Sequence, residues 1–227
     1  MRSRNLILIT FLCSSFYYNC LGDKTCSDED KSCSTQALLT SALTVPNGIY
    51  IYSTLTTYQG NLAAFDSTPE ISGQNICRGE KLFSSLVNQF CPDVWAFIST
   101  ESVPLSSFAT SFSAPINLPV FGPTGLQLAS TWDNFTLGSV SLDRPLSDAG
   151  LGTDDFWTFA GTPGGGLAAN NCNIGSDNTN IVSGATGSAK SKNTDWLNPS
   201  AATATCDTRH RVLCVCFTPD SSSAQAQ

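Results

Sequence analysis

The sequence predicts an α+β domain with one clear helix, several short strands and long loops, carried behind an export signal. Three observations lead there. The stretch RHRVLCVCF (209–217) reads as a strand apolar on both faces, hence a central one. Residues 69–91 form the one stretch with sustained helical periodicity. Ten cysteines in 227 residues, behind an export signal, point to an oxidising compartment where disulfides persist.

The chain opens with a short basic head, Met1-Arg2-Ser3-Arg4-Asn5, followed by the apolar run LILITFLCSSFYY. That is a secretory signal. It falls short of the roughly 20 apolar residues a membrane-spanning helix needs, and no later stretch reaches that length. Tyr17-Tyr18-Asn19 lacks the small-x-small pattern of an ordinary cleavage site. A lipoprotein peptidase cuts directly before a cysteine whose thiol carries diacylglycerol, and Cys20 stands at the right distance for it. Cys13 has only seven apolar residues before it and belongs to the signal. The expectation is therefore signal peptide 1–19 and lipidation at Cys20, with ordinary secretion as the alternative. Cleavage there removes Arg2 and Arg4 but no acid, leaving 9 basic against 18 acidic residues, a formal charge of −9. An acidic chain without clustered Lys and Arg is not built for nucleic acid. The remaining length fits one domain able to bury a real core.

Residues 20–47 read as an acidic tether, polar at first and broken by Pro46-Asn47-Gly48. Its 26 residues from Leu21 to Pro46 would span on the order of 30 Å as a flexible coil. Cys26 and Cys33 fit a small local bridge. A metal reading is weak, because no His lies nearby and Asp28-Glu29-Asp30 is more simply a solvated turn.

The domain is expected over 48–217. GIYIYSTLTTYQGNL reads as a strand ended by Gly60-Asn61. In PEISGQNICRGEKLFSSLVNQFCPD, Pro69 and Glu70 mark a helix start, Ile76, Phe83, Val87 and Phe90 recur at helical spacing, and Cys91-Pro92 stops it. VWAFIST (94–100) is a buried strand by its apolar run. PLSSFATSFS is a short second helix, and LPVFGPTGLQL gives two strands around Gly122 to Gly125. From Gly138 to Thr205 the chain is rich in Gly and Asn, with short strand-like pieces at DFWTFAG and NIVSGA, so long loops dominate. Residues 218–227 are a frayed tail.

Seven cues stand in one order: YQGNLAAFD before a helix with Cys77, AFIST, LPVFGPTGLQLASTWDNF, FWTFAGTPGGG, NNCNIGS, IVSGATGSA and TCDTRHRVLCVCF. Together they resemble the endostatin-like branch of the C-type lectin-like fold over most of 48–217. That resemblance implies one main helix, a mixed and mostly antiparallel sheet, long loops and disulfide staples. With a lipobox of the looser spirochaetal kind, which accepts Asn at minus one, the whole chain resembles the leptospiral endostatin-like outer-membrane lipoproteins. The resemblance implies nested bridges Cys77–Cys214 and Cys172–Cys206. Cys91 ends the helix carrying Cys77, and Cys216 shares a strand face with Cys214, so spacing suggests a third, parallel bridge, Cys91–Cys216.

Catalytic chemistry finds little support. His210 is the only histidine and shares parity with Val212, Cys214 and Cys216, which places it toward the core or its margin. No nucleophile elbow is present, Asp154 and Asp155 point apart on an extended chain, and GTPGGG lacks the Lys and helix of a phosphate loop. The expectation is no enzyme, no cofactor and no metal. A carbohydrate-binding, lectin-like module is the alternative, without the usual calcium site: TWDNF places Asp133 and Asn134 in a different arrangement, and Trp132 reads as core. Asp154, Asp155, Asp177 and Asp195 are the candidates for any hard-cation site. The histidines and arginine cluster behind zinc and heparin binding in collagen endostatins are missing.

The resemblance implies a surface adhesin, lipid-anchored in the outer membrane and touching the membrane only through that lipid. It would bind host laminin and fibronectin and, in some members, complement factor H or plasminogen. No residue matches a defined host-binding motif. Two modes of contact stand open: charge complementarity to basic ligand surfaces, or exposed aromatic anchors at Phe156, Trp157 or Trp196.

Overall fold

The structure, a computed structural model, describes residues 47–81, 93–136, 138, 140–161 and 164–217. The expectations for the signal, Cys13, Cys20, Cys26, Cys33, most of the tether, Phe83, Val87, Phe90, Cys91 and the tail lie outside the described residues.

The architecture is α+β, built on one mixed sheet. Its strands are β1 (Ile49–Ser53), β2 (Asp93–Ala96), β3 (Val120–Phe121), β4 (Gln127–Ala129), β5 (Phe156–Trp157), β6 (Ser183–Gly187), β7 (Thr203–Thr205) and β8 (Arg211–Phe217). The order is β4-β3-β1-β8-β5-β6-β7, with β2 also paired to β8. Among the described strands, only β1–β3 and β5–β8 run parallel. Among the described residues the right-handed α-helices are α1 (Pro69–Lys81), α2 (Phe108–Phe112) and α3 (Trp132–Thr136), of which α1 is the longest at 13 residues.

β8 organises the sheet because six of its seven residues are buried, as an apolar strand of period 2 on both faces requires. One edge carries β1, with Val215 opposite Ile51. The other edge is shared end to end: β5 takes Arg211 and Val212, and β2 takes Cys214 through Phe217. The chain following β2 stays buried without forming a ladder. Phe97 donates its N–H to Leu213 O and Ser99 to Thr158 O, so residues 97–100 bridge the gap between β2 and β5. The strand expected over 94–100 therefore ends at Ala96.

The two faces of β8 meet different layers. Leu213, Val215 and Phe217 join Ile49 and Ile51 in the main core, roofed by Phe97, Phe108, Trp132, Phe135 and Trp196. Trp196 lies parallel to Phe97 with centroids 6.0 Å apart, and tilted against Phe135 at 4.8 Å. These pairings contribute beyond the area they bury. The alternate residues Cys214 and Cys216 lie on the face where α1 packs. There the Tyr52 hydroxyl donates to Cys77 O at 2.8 Å, and a Cβ on Gly73 would sit 2.6 Å from Ala96 Cβ, so a glycine lets α1 approach the sheet closely.

α1 begins as its sequence suggests. Pro69 opens it, Thr68 Oγ1 accepts the N–H of Ile71 as a cap, and Glu70 sits in the first turn. The Glu70 carboxylate accepts the hydroxyls of Thr100 and Ser102, tying the helix start to the loop after β2.

Candidate functional site

Two disulfides staple the domain, on the pairs that the endostatin-like resemblance implies. Cys77 of α1 joins Cys214 of β8, and Cys172 joins Cys206, with Cα–Cα distances of 5.7 Å in both. All four cysteines are buried. Cys216 is also disulfide-bonded, while Cys91, the partner that spacing suggests for it, lies outside the described residues.

The Cys172–Cys206 bridge is enclosed by glycine. A Cβ on Gly60 would lie 2.2 Å from Cys172 Sγ, and one on Gly184 would lie 2.7 Å from the same sulfur. Cys172, Asn173 and Ile174 have φ of 52, 52 and 58°, and Gly175 has 70°, a left-handed turn. Such a run costs roughly 1–2 kcal/mol per non-glycine residue. Asn171 Oδ1, which accepts the N–H of Ile174 at 2.8 Å, and the disulfide hold it in place.

The titratable groups weighed for catalysis are scattered. The His210 ring lies edge-on to Trp157 with centroids 4.6 Å apart, and its Nδ1 is 3.3 Å from Asp155 O, which places it at the margin of the core. Asp154 Oδ2 lies 3.6 Å from Arg211 Nε, and Arg211 Nη1 donates to Thr54 O at 2.8 Å. Asp177 accepts from the N–H and hydroxyl of Thr179, which hold its carboxyl below the usual carboxylate range. No group of three or more His, Cys, Asp or Glu able to hold a metal ion occurs among the described residues. None of their helices is long and apolar enough to cross a membrane.

TWDNF, weighed for its partial likeness to a calcium-lectin strand, is helical. It forms α3, in which Trp132 is buried and Asn134 Nδ2 donates to Ser130 Oγ at 2.8 Å. Phe156, Trp157 and Trp196 are core residues with at most 1% of their surface exposed, so the aromatic-anchor alternative does not hold. Phe156 and Trp157 lie on β5 beside the central strand, and Trp196 fills the aromatic layer.

One buried carboxylate had no signal in the hydrophobic pattern. Glu80, only 7% exposed, accepts the N–H groups of Leu55 at 3.0 Å and Thr56 at 3.3 Å and the Tyr58 hydroxyl at 3.4 Å. Burial pushes its pKa up, but hydrogen bonds from Thr56, Leu55 and Tyr58 outweigh this and hold it below the ordinary value. It anchors the loop between β1 and the Leu62–Phe65 turn to the far end of α1.

Large apolar side chains do reach solvent elsewhere, with Phe65 50%, Ile174 40% and Ile181 85% exposed. No family model matches the chain, and no curated protein matches it.

Proposed function

We propose that this protein is a lipid-anchored surface adhesin of the endostatin-like kind, held in the outer membrane through Cys20 and binding host laminin and fibronectin. Complement factor H and plasminogen are the further partners this reading admits. The observation that carries it is the nesting of Cys172–Cys206 within Cys77–Cys214. These pairs join NNCNIGS to TCDTRH, and the long helix to the central strand, as the order of sequence cues implies for a C-type lectin-like fold of this branch.

The charge of the chain supports the choice of ligand. Its formal charge is −7, and −9 after removal of residues 1–19. Fibronectin, laminin and factor H all present basic, heparin-binding surfaces. An acidic domain is steered onto such surfaces by complementarity.

A solid-phase panel with the mature chain tests the reading. Binding to at least one of laminin, fibronectin or factor H is expected, falling between 0.15 and 0.5 M salt and competed by heparin. Absence of binding to all of them overturns the adhesin assignment. The anchor is tested separately by detergent phase partition: wild type should enter the detergent phase and Cys20→Ala the aqueous phase. Aqueous partition of both rules the anchor out.

A further inference from the structure

We propose that the corner formed by the Leu62–Phe65 turn, the outer face of α1 and the left-handed turn Cys172–Gly175 is the surface that grips a basic macromolecular partner. The partner's contact would be an apolar side chain flanked by lysines or arginines. This rests on the adhesin reading and deepens it by naming the contact surface.

The corner is continuous. Phe65 donates its N–H to Ser72 Oγ at 3.0 Å, and Ser72 Oγ donates in turn to Leu62 O, so the turn lies along α1. Asn75 Nδ2 donates to Asp66 Oδ2 at 2.6 Å. Because residues four apart share a helix face, this brings Asp66 alongside the stripe that holds Ile71, itself 40% exposed. On the other side a Cβ on Gly175 would lie 3.5 Å from Ala63 N, which seats the left-handed turn against the same segment. From there hydrogen bonds run outward. Asn173 Nδ2 donates to Asp177 Oδ2, Thr179 donates to Asp177 Oδ1, and Ile181 donates its N–H to Thr179 Oγ1.

The corner combines two properties. Phe65, Ile71, Ile174 and Ile181 are left in solvent by a fold that fully buries Trp157 and Trp196. Isolated exposed apolar residues need no explanation, but several on adjoining segments, rimmed by charge, have the make-up of an interaction site. Asp66 and Asp177 supply that rim. Hydrogen bonds from Ser67 hold the Asp66 carboxyl below its ordinary value, and those from Thr179 do the same for Asp177, so both are ionised at neutral pH. A β-branched residue in left-handed backbone is an outlier, and Ile174, pinned beside a disulfide, is an apolar contact ordered in advance. Two carboxylates, Asp66 and Asp177, against Arg78 on the same helix stripe leave the rim acidic and favour a basic partner, and the apolar centre gives it a seat.

The mature chain and two paired variants, Ile174→Ser with Ile181→Ser and Asp66→Asn with Asp177→Asn, are assayed against fibronectin, laminin and a soluble peptide alternating Lys and Leu. Leu126→Ser with Val140→Ser is the control, exposed apolar residues on other segments. The substituted side chains are exposed except Asp177, which is half-buried, and far-UV circular dichroism with melting curves verifies folding. Each corner variant should weaken binding at least tenfold, the control should not, and the Asp66/Asp177 variant should also lose most of the salt dependence. Unchanged affinity in both corner variants, with wild type bound to a matrix protein, overturns the corner and leaves the adhesin reading standing. Corner-dependent binding of the peptide alone, without any matrix protein, supports the corner and defeats the adhesin reading. Wild type that binds nothing overturns both. Self-association in sedimentation that the corner variants abolish assigns the surface to a second copy and overturns the proposed partner.

Discussion

Glu80 accepts the backbone N–H of Leu55 at 3.0 Å, so a carboxylate on α1 holds the loop that leaves β1. Together with the N–H of Thr56 and the Tyr58 hydroxyl, this gives a buried anion stabilised by donors. Glu80→Gln keeps the shape but loses the charge, and hydrogen bonds to charged groups contribute about 1.5–3 kcal/mol each. A loss of about 1–3 kcal/mol at pH 7 is expected from urea denaturation. The folded carboxyl lies below its unfolded value of about 4.3. Its contribution is therefore complete above the unfolded value and is lost as pH falls through the folded one. The gap between wild type and Glu80→Gln should close in acid. A gap independent of pH would show that the charge contributes nothing.

The two bridges should differ in weight. Cys77–Cys214 closes a sequence separation of 137 and Cys172–Cys206 one of 34. In the chain-entropy model these contribute about 5 and about 4 kcal/mol. Replacing both members of each pair by Ala should lower the denaturation midpoint more for 77 and 214, and slightly more than additively when combined, since the inner bridge shortens the loop that the outer one closes. The reverse ranking would mean that local packing around Cys172 outweighs chain entropy.

Gly60 should tolerate no side chain while the bridge is present. Gly60→Ala sets a Cβ 2.2 Å from Cys172 Sγ, and overpacking costs about 1–3 kcal/mol. In a background lacking Cys172 and Cys206 the penalty should shrink, a coupling that a double-mutant cycle reads directly. Gly79→Ala is the contrast. Nothing lies within 4 Å of its Cβ, and it sits inside α1, so a gain of about 0.5–1 kcal/mol is expected from reduced unfolded-state freedom.

What could be read from the sequence was what depends on local pattern. β8 was legible because Val212 through Phe217 are apolar at both parities, and the start of α1 because Pro69 is tolerated only in a first turn and Glu70 is favoured there. The β3–β4 hairpin followed from Gly122 and Gly125, the latter at φ 78°. α3 has no such pattern: five residues are too few for a period, and its one local signal is Thr131, whose Oγ1 accepts the N–H of Asn134. β7, three residues with little burial, carries no apolar alternation and exists by pairing with β6. Glu80 and the exposed corner depend on contacts between segments. No spacing rule brings Ala63 to Gly175 or Leu55 to Glu80. The left-handed conformation of Ile174 runs against residue preference and is imposed by the bridge beside it.

Charge and aromatic contact, as sources of ligand affinity, leave different marks on tryptophan fluorescence. Trp132, Trp157 and Trp196 are at most 2% exposed, and Trp95 is partly covered by its stack on Phe112 at 3.9 Å. Acrylamide should therefore quench the native fluorescence weakly, and saturation with fibronectin should leave emission wavelength and quenching almost unchanged. Trp196→Ala empties the aromatic layer between Phe97 and Phe135 and should cost about 3–5 kcal/mol of stability. Any loss of binding in that variant should then track its unfolded fraction and vanish when folding is restored by cooling. Charge behaves differently: raising salt from 0.15 to 1 M shortens the Debye length from about 8 to about 3 Å, weakening contact between exposed charges without unfolding the domain. A binding curve that falls with salt while tryptophan emission stays fixed assigns affinity to the acidic surface. A fibronectin-induced shift in emission, with binding retained at high salt, would instead place the half-buried Trp95 in the contact or require a core tryptophan to move, and would reject the charge account.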